Sequence, residues 1–211
     1  MAQRPSRRPI LRALPAVVAL AALLAAGPLQ GPAGAAEPHP LLGKPAPSLS
    51  GRAAFGNGLV NLNKLRQQVV AERDAQGRPV LKGGRPRLRV VSNAVVLNFF
   101  ATYCVPCVQE IPAFNRIAEA YRGRRVRFLY VNVDTEKSEA EVRAFAKAKG
   151  IEVEMMLPSV KNALDLFKIE ALPLIVFVDR EGIVRQAITG FQEDLPRQVD
   201  EILRPMLPAS S

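Results

Sequence analysis

Blocks of apolar and polar positions alternate along the chain and predict strands and helices in turn. Residues 94–101, "AVVLNFFA", form a nearly continuous apolar run, which is typical of a strand buried on both faces. Residues 107–121 place apolar side chains at helical spacing, and residues 125–134 return to a strand pattern. This order predicts a core in which a helix connects two strands.

The C-terminal half continues the alternation. Ser138, followed three residues later by Glu141, is a helix-capping pattern, and Gly150 ends the same helix. The predicted elements here are a helix, a shorter helix, two strands around a turn and a final helix, at residues 138–150, 160–169, 172–190 and 194–207. We therefore predict the α/β class, with a central mixed sheet and helices on both faces.

A basic segment precedes the first long strand. Residues 55–68 predict a short strand and a short helix, and residues 72–92 are polar, basic and interpreted as an insert. Gly83 and Gly84 stand between two β-prone runs and predict a hairpin within it. A solvated loop is the favoured interpretation of its charge, because charge runs usually are solvated, and the steering of an acidic partner is the alternative.

Residues 1–36 have the pattern of a signal peptide. Four arginines and no acid precede an apolar run at 14–26, which is shorter than the roughly 20 residues of a membrane span. Small residues at 33–36 fit a cleavage site. We predict export to the periplasm, a linker at 37–47 and one domain at 48–208, with membrane attachment only if the signal is retained as an anchor.

The charge of the mature chain is modest. Loss of the four arginines with the signal lowers the formal net charge from +10 to +6. An exported protein of this charge, without a basic helix or an aromatic platform, is not expected to bind nucleic acid.

The chain has two cysteines, Cys104 and Cys107, where the predicted buried strand gives way to a helix. A helix N-terminus stabilises a thiolate, and in such Cys-x-x-Cys pairs the thiol pKa falls from about 8.5 towards 7 or below. Pro106 fits the first turn of that helix. We predict that Cys104 is the nucleophile and that a half-buried Cys107 resolves the mixed disulfide.

Two other interpretations of the cysteine pair are weaker. A disulfide that closes so short a loop adds little stability. Zinc requires four ligands, and the mature chain adds only His39 to the two cysteines. We therefore predict a redox-active pair, with no metal and no cofactor.

These residues resemble the thioredoxin superfamily, and within it the exported TlpA-like (ResA-like) thiol:disulfide oxidoreductases, over about residues 40–208. The matching pieces are "VVLNFFATYCVPC", "YVNVD" and "ALPLIVFVDREGIV", together with Glu110 and Pro112. The resemblance implies a thioredoxin fold, a reactive pair, and a cis peptide before Pro173 beside that pair. It also implies a reductant of apocytochrome c thiols or copper-site cysteines, with a membrane thiol reductase as its electron donor.

The resemblance also bears on proton transfer. Glu110, one helical turn beyond Cys107, matches the buried acid of the TlpA-like family. Asn98 stands where ordinary thioredoxins resemble one another in having a buried Asp, and an amide cannot accept a proton. We predict that Glu110 is the catalytic acid or base, with an exposed first-turn carboxylate as the alternative.

Three residues are predicted to bind the substrate. Leu172 is expected to offer its backbone to an extended peptide, beside Pro173. Tyr103 stands next to Cys104, and Phe100 and Tyr103 are the aromatic residues at the place where the family usually has Trp.

Other function classes remain open at this point. A copper metallochaperone would need a His or Met partner for the cysteines, and Met155 and Met156 have the pattern of core residues. A thiol peroxidase would use one cysteine, and a non-catalytic thioredoxin-like interaction module would use neither. The prediction is an exported thiol:disulfide reductase that acts on disulfides of other proteins.

Overall fold

The computed structural model describes residues 38–208, so the signal peptide predicted at 1–36 lies outside the described residues. Its strands are β1 Ser50–Ala53, β2 Leu59–Asn61, β3 Gln67–Ala71, β4 Leu81–Lys82, β5 Arg85–Pro86, β6 Leu88–Ser92, β7 Ala94–Phe100, β8 Val126–Asn132, β9 Met155–Pro158, β10 Leu174–Val178 and β11 Val184–Thr189. Its helices are α1 Leu62–Leu65, α2 Val105–Ala120, α3 Glu139–Ala148, α4 Val160–Phe167 and α5 Leu195–Leu203, which continues into a 3₁₀ turn at Arg204–Met206. Within residues 38–208, no helix has the length and apolarity needed to cross a membrane.

One mixed sheet forms the centre of the described domain. Its strands run in the order β11, β10, β7, β8, β9, β1, β2, and β7, β8 and β9 are parallel to one another. All residues of β7 are buried, as its continuous apolar run predicts. The two cysteines therefore follow a strand that is buried along its whole length.

Helices cover both faces of the sheet, as predicted. Phe99 packs against Phe167 of α4, with ring centroids 4.8 Å apart. The next residue, Phe100, packs against Tyr130 at 5.2 Å, and Tyr130 contacts Phe114 of α2 at 4.8 Å. Because successive side chains of a strand point to opposite faces, α2 and α4 lie on opposite sides of the sheet. Helix α5 packs against α2 on the α2 side.

Residues 67–92 form a two-stranded ribbon outside the sheet, which we call the ribbon. Strands β3 and β6 pair along its length, and β4 and β5 pair at its tip. Gly83 and Gly84 form the tip turn with φ of 59° and 76°, as a two-residue hairpin requires. At the base, the N–H of Asn93 donates to the carbonyl of Arg66 at 2.6 Å. The ribbon thus starts before the insert predicted at 72–92, because β3 pairs along the whole of β6.

Part of the segment predicted as a linker at 37–47 is attached to the domain. The N–H of Gly43 donates to the carbonyl of Val184, and the N–H of Ala46 donates to that of Gly182, both at 2.8 Å. This segment therefore runs along the turn between β10 and β11, at the end of the sheet remote from the cysteines.

Candidate active site

Cys104 lies at the junction between β7 and α2. It is the N-cap residue of α2, and in this structure it forms a disulfide with Cys107 across a Cα separation of 5.3 Å. The N–H of Cys107 donates to the sulfur of Cys104 at 3.2 Å. In the reduced protein this N–H and the other free N–H groups of the first turn are placed to stabilise a thiolate at Cys104.

The two sulfur-bearing residues differ in exposure. Cys104 is 9% exposed and Cys107 is 2% exposed. Cys107 is more buried than the half-buried position predicted for it, because it belongs to the inner face of α2 with Ile111 and Phe114. Cys104 is accordingly the residue of the pair that a partner reaches first.

We expect Cys104 to alkylate faster than Cys107 in the reduced protein. A thiol with a pKa of 7 is about half ionised at pH 7, whereas one at 8.5 is about 3% ionised, so the rates should differ by roughly tenfold or more. Timed labelling with iodoacetamide, followed by peptide mass spectrometry, measures both rates. Equal rates would contradict the assignment of Cys104 as the nucleophile.

A buried carboxylate fixes the turn that carries Cys104. The backbone N–H and the hydroxyl of Thr102 donate to the two oxygens of Asp134, at 2.9 and 2.7 Å. Asp134 follows β8 and is buried. The sequence did not place Asp134, and the structure shows that its oxygens are engaged in holding this turn.

Glu110 is buried on α2, the helix that begins at the cysteine pair. It is 1% exposed and follows Cys107 by one turn on the inner face of α2. Burial raises the pKa of Glu110 from 4.5 to about 7, an effect offset in part by the nearby backbone N–H of Gln192 and side chain of Asn98. The alternative interpretation, in which Glu110 is an exposed carboxylate in the first turn of the helix, is therefore wrong. A carboxyl group with a pKa near 7 can take up and release a proton at neutral pH.

Asn98 and Tyr130 complete a buried polar cluster around Glu110. They are directly paired across β7 and β8, and both are 1% exposed. Burial, and then the charge of Glu110, raises the pKa of Tyr130, so its hydroxyl stays protonated. In the described part of the chain, neither the carboxylate oxygens of Glu110, the amide oxygen of Asn98 nor the hydroxyl of Tyr130 has a hydrogen-bond partner of normal geometry. Sequence reasoning missed Tyr130, whose position in "YVNVD" gives no sign that it faces Glu110.

Pro173 lies at the same end of the sheet as the cysteines. The Leu172-Pro173 peptide bond is cis, which confirms the expectation drawn from the resemblance. Leu174 pairs with Phe99 in antiparallel register, so Pro173 comes opposite Phe100, just before the turn to Cys104. The carbonyl of Pro173 accepts from Gly190 at 2.8 Å.

Leu172 and Tyr103, the other two residues predicted to bind the substrate, lie at the same end of the sheet as the cysteines. Leu172 is partly buried, and among residues 38–208 its backbone has no hydrogen-bond partner. Tyr103 is 65% exposed beside Cys104. The described residues contain no group of three or more His, Cys, Asp or Glu side chains that could hold a metal ion.

Comparison with known families bears on this arrangement. The model of the AhpC/TSA family matches residues 74–187, which include both cysteines, Glu110 and Pro173. The chain belongs to this thioredoxin-like family. Its two cysteines form a Cys-x-x-Cys disulfide at a helix N-terminus, and several of its relatives are named thiol-disulfide oxidoreductases. The chain is therefore a thiol-disulfide oxidoreductase.

Two relatives show how similar this chain is in sequence to named thiol-disulfide oxidoreductases. The thiol-disulfide oxidoreductase ResA of Geobacillus kaustophilus is 33% identical over 125 residues, which cover 58% of this chain and 71% of the relative. ResA of Bacillus subtilis is 30% identical over 96 residues, which cover 46% of this chain and 52% of that protein.

Solved structures share the fold. A thiol:disulfide interchange protein of the thioredoxin family from Chlorobium tepidum superposes with a TM-score of 0.56 at 23% identity, covering 82% of this chain and 99% of its own. A thiol:disulfide interchange protein from a Bacteroides species gives a TM-score of 0.58 at 19% identity, with 77% and 90% coverage. At these identities the likeness shows the thioredoxin fold, which confirms the predicted fold class.

Proposed function

We propose that the protein is an exported, periplasmic reductase that reduces disulfides in other exported proteins, such as the haem-binding cysteines of apocytochrome c or the cysteines of a copper site. The observation that carries the proposal is the position of Glu110, buried one helical turn behind Cys107 with a pKa of about 7. A base at that position serves the resolving thiol, whose attack releases the reduced substrate.

The reaction begins at Cys104. Its thiolate attacks one sulfur of the substrate disulfide, and the other substrate sulfur leaves as a thiolate that takes up a proton. The sulfur of Cys104 is then joined to the substrate in a mixed disulfide.

Cys107 completes the exchange. Its thiol is buried, which opposes ionisation, so a base must accept its proton, and Glu110 is placed to do so. The Cys107 thiolate attacks the sulfur of Cys104, and the second substrate sulfur leaves reduced. Two electrons have moved from the protein to the substrate, and the Cys104–Cys107 disulfide must then be reduced by a dithiol donor, for which we propose a membrane thiol reductase.

We assign substrate binding to the end of the sheet beside the cysteines. The free backbone of Leu172 can pair with an extended segment that carries the substrate disulfide, in the manner of an added strand. The exposed ring of Tyr103 offers an apolar contact next to Cys104. Export is supported by the signal-peptide pattern of residues 1–36.

Trapping of mixed disulfides tests this proposal. A Cys107→Ala variant produced in the source organism cannot resolve its mixed disulfides, so we expect covalent adducts with exported proteins that contain haem-binding or copper-site cysteines. Mass spectrometry of the purified adducts identifies them. A Cys104→Ala, Cys107→Ala double variant is the matched control and should form none.

Two results would contradict the proposal. One is a set of adducts made only with proteins that are not exported. The other is rapid consumption of hydrogen peroxide by the native protein while protein disulfides stay intact, since that would indicate a thiol peroxidase.

A further inference from the structure

Four arginines line an open cavity of about 670 Å³ at the base of the ribbon. They come from four separate segments: Arg66 follows α1, Arg89 lies in β6, Arg125 precedes β8, and Arg180 lies in the turn between β10 and β11. The carbonyl of Arg125 accepts from Ala94, the first residue of β7, whereas Cys104 follows the last. The cavity is therefore at the opposite end of the sheet from the disulfide, about 20 Å away for a strand of this length.

The four arginines that line this cavity are not paired with an acidic side chain within residues 38–208. Among the described residues, none of the four arginines forms an ion pair, and Glu181 at the rim pairs with none of them. By contrast Arg87, close to Arg89 in the ribbon, is paired with Glu72 at 3.0 Å. Burial, and then the charges of Arg180 and Arg89, lowers the pKa of Arg125.

Some of these side chains are held in place and still lack acceptors. Arg66 donates through Nη2 to the carbonyl of Arg180 at 3.0 Å, and Arg125 donates through Nε to Asn93 at 3.1 Å. The Nε atoms of Arg66 and Arg180 are buried without a hydrogen-bond partner in residues 38–208. Gly182 leaves the room that the Arg66 guanidinium occupies, because a Cβ at that position would collide with it. Four guanidinium groups, two of them held in place by hydrogen bonds within the protein, thus line one cavity without an acidic partner, a setting that favours an anion.

We propose that this cavity binds a phosphate group, either as a free phosphate or as the phosphate of an anionic phospholipid headgroup. The planar guanidinium fork matches pairs of phosphate oxygens, and a doubly charged anion offsets the repulsion among the four arginines. The segment that contains Ala46 runs along Gly182 at this end, which places the beginning of the domain beside the cavity. The site is independent of the cysteine chemistry.

Binding measurements on the exported protein test the site. Titration with inorganic phosphate and with pyrophosphate, followed by calorimetry, should show saturable binding in the millimolar range or tighter. Flotation with vesicles of phosphatidylglycerol, compared with phosphatidylcholine, tests the lipid source. Binding to the free anions identifies a soluble ligand, and binding only to the phosphatidylglycerol vesicles identifies a headgroup.

Matched substitutions separate the cavity from general surface charge. Arg89→Gln should weaken binding by roughly tenfold or more, because it removes an unpaired charge from the lining of the cavity, whereas Arg87→Gln removes the same charge from the same ribbon and should have little effect. Arg89→Lys keeps the charge without the fork and should fall between them. Arg89 is exposed, so the variants should keep the native circular dichroism and disulfide-exchange rate.

The proposal is overturned if neither the free anions nor phosphatidylglycerol vesicles bind. It is equally overturned if Arg87→Gln weakens binding as much as Arg89→Gln, since the attraction would then come from the basic surface as a whole.

Discussion

Replacement of Glu110 by Gln is expected to slow thiol-disulfide exchange by at least about tenfold at pH 7, because general-base assistance is typically worth 10²- to 10⁴-fold in rate. Gln keeps the size of the side chain and cannot accept the proton of Cys107. Within residues 38–208 the other buried carboxylates are Asp134, which holds Thr102, and Asp179, which follows β10 at the opposite end of the sheet. Stopped-flow measurement of the single-turnover reduction of a model disulfide gives the rate of this thiol-disulfide exchange.

Glu119→Gln is the matched control for this variant. Glu119 lies on the same helix, but it is exposed and paired with Arg122. Its replacement should leave the rate unchanged. The rate in the native protein should also rise with pH around 7 as Glu110 ionises, and this rise should change in Glu110→Gln. If the Glu110→Gln variant folds and exchanges disulfides as fast as the native protein at every pH, Glu110 is not the base.

The same buried carboxyl group should make the stability of the oxidised protein depend on pH. Between pH 4.5 and 7 the carboxyl is protonated in the folded state and ionised in the unfolded state, so unfolding releases a proton. The contribution of Glu110 to the free energy of unfolding is therefore greatest below pH 4.5, falls as pH rises from 4.5 through 7, and levels off above that. A pKa change from 4.5 to about 7 corresponds to a loss of about 3 kcal/mol from this one group.

Urea unfolding of the native protein and of Glu110→Gln at pH 5 and pH 8 measures the effect. Other groups titrate in both proteins, so the difference between the two curves isolates Glu110. We expect Glu110→Gln to become the more stable of the two as pH rises, by an amount that grows through pH 7. Parallel curves over this range would show that Glu110 titrates in the folded protein as it does in the unfolded chain.

The local patterns of the sequence predicted the centre of this fold well. The apolar run of β7 and the helical spacing of α2 place Cys104 and Cys107 at their junction without any knowledge of the rest of the chain. Glu110 followed from its spacing behind Cys107 together with the resemblance. Such features are predictable because each depends on residues that are neighbours in the chain.

Features made by distant segments were not predictable in the same way. Tyr130 meets Glu110 only because β8 aligns beside β7 with Tyr130 opposite Asn98. Arg66, Arg125 and Arg180 converge only once α1, β8 and the β10–β11 turn are assembled. Strand β1 is too short to show a period of hydrophobic and polar residues in the sequence. Only its pairing with β9 in the folded chain identifies it as a strand.

The closure of the ribbon by the hydrogen bond between Asn93 and Arg66 has a consequence for how this protein tolerates changes in length. The chain leaves the central domain at Arg66 and returns to it at Asn93, and these two residues are hydrogen-bonded to each other. Residues 67–92 therefore form an insertion whose length need not alter the path of β7. The entropy of closing such an insertion grows only with the logarithm of its length, and a doubling costs about 0.6 kcal/mol. Insertions or deletions that keep the tip turn and the pairing of β3 with β6 should therefore be accommodated here, while the geometry around Cys104 stays the same.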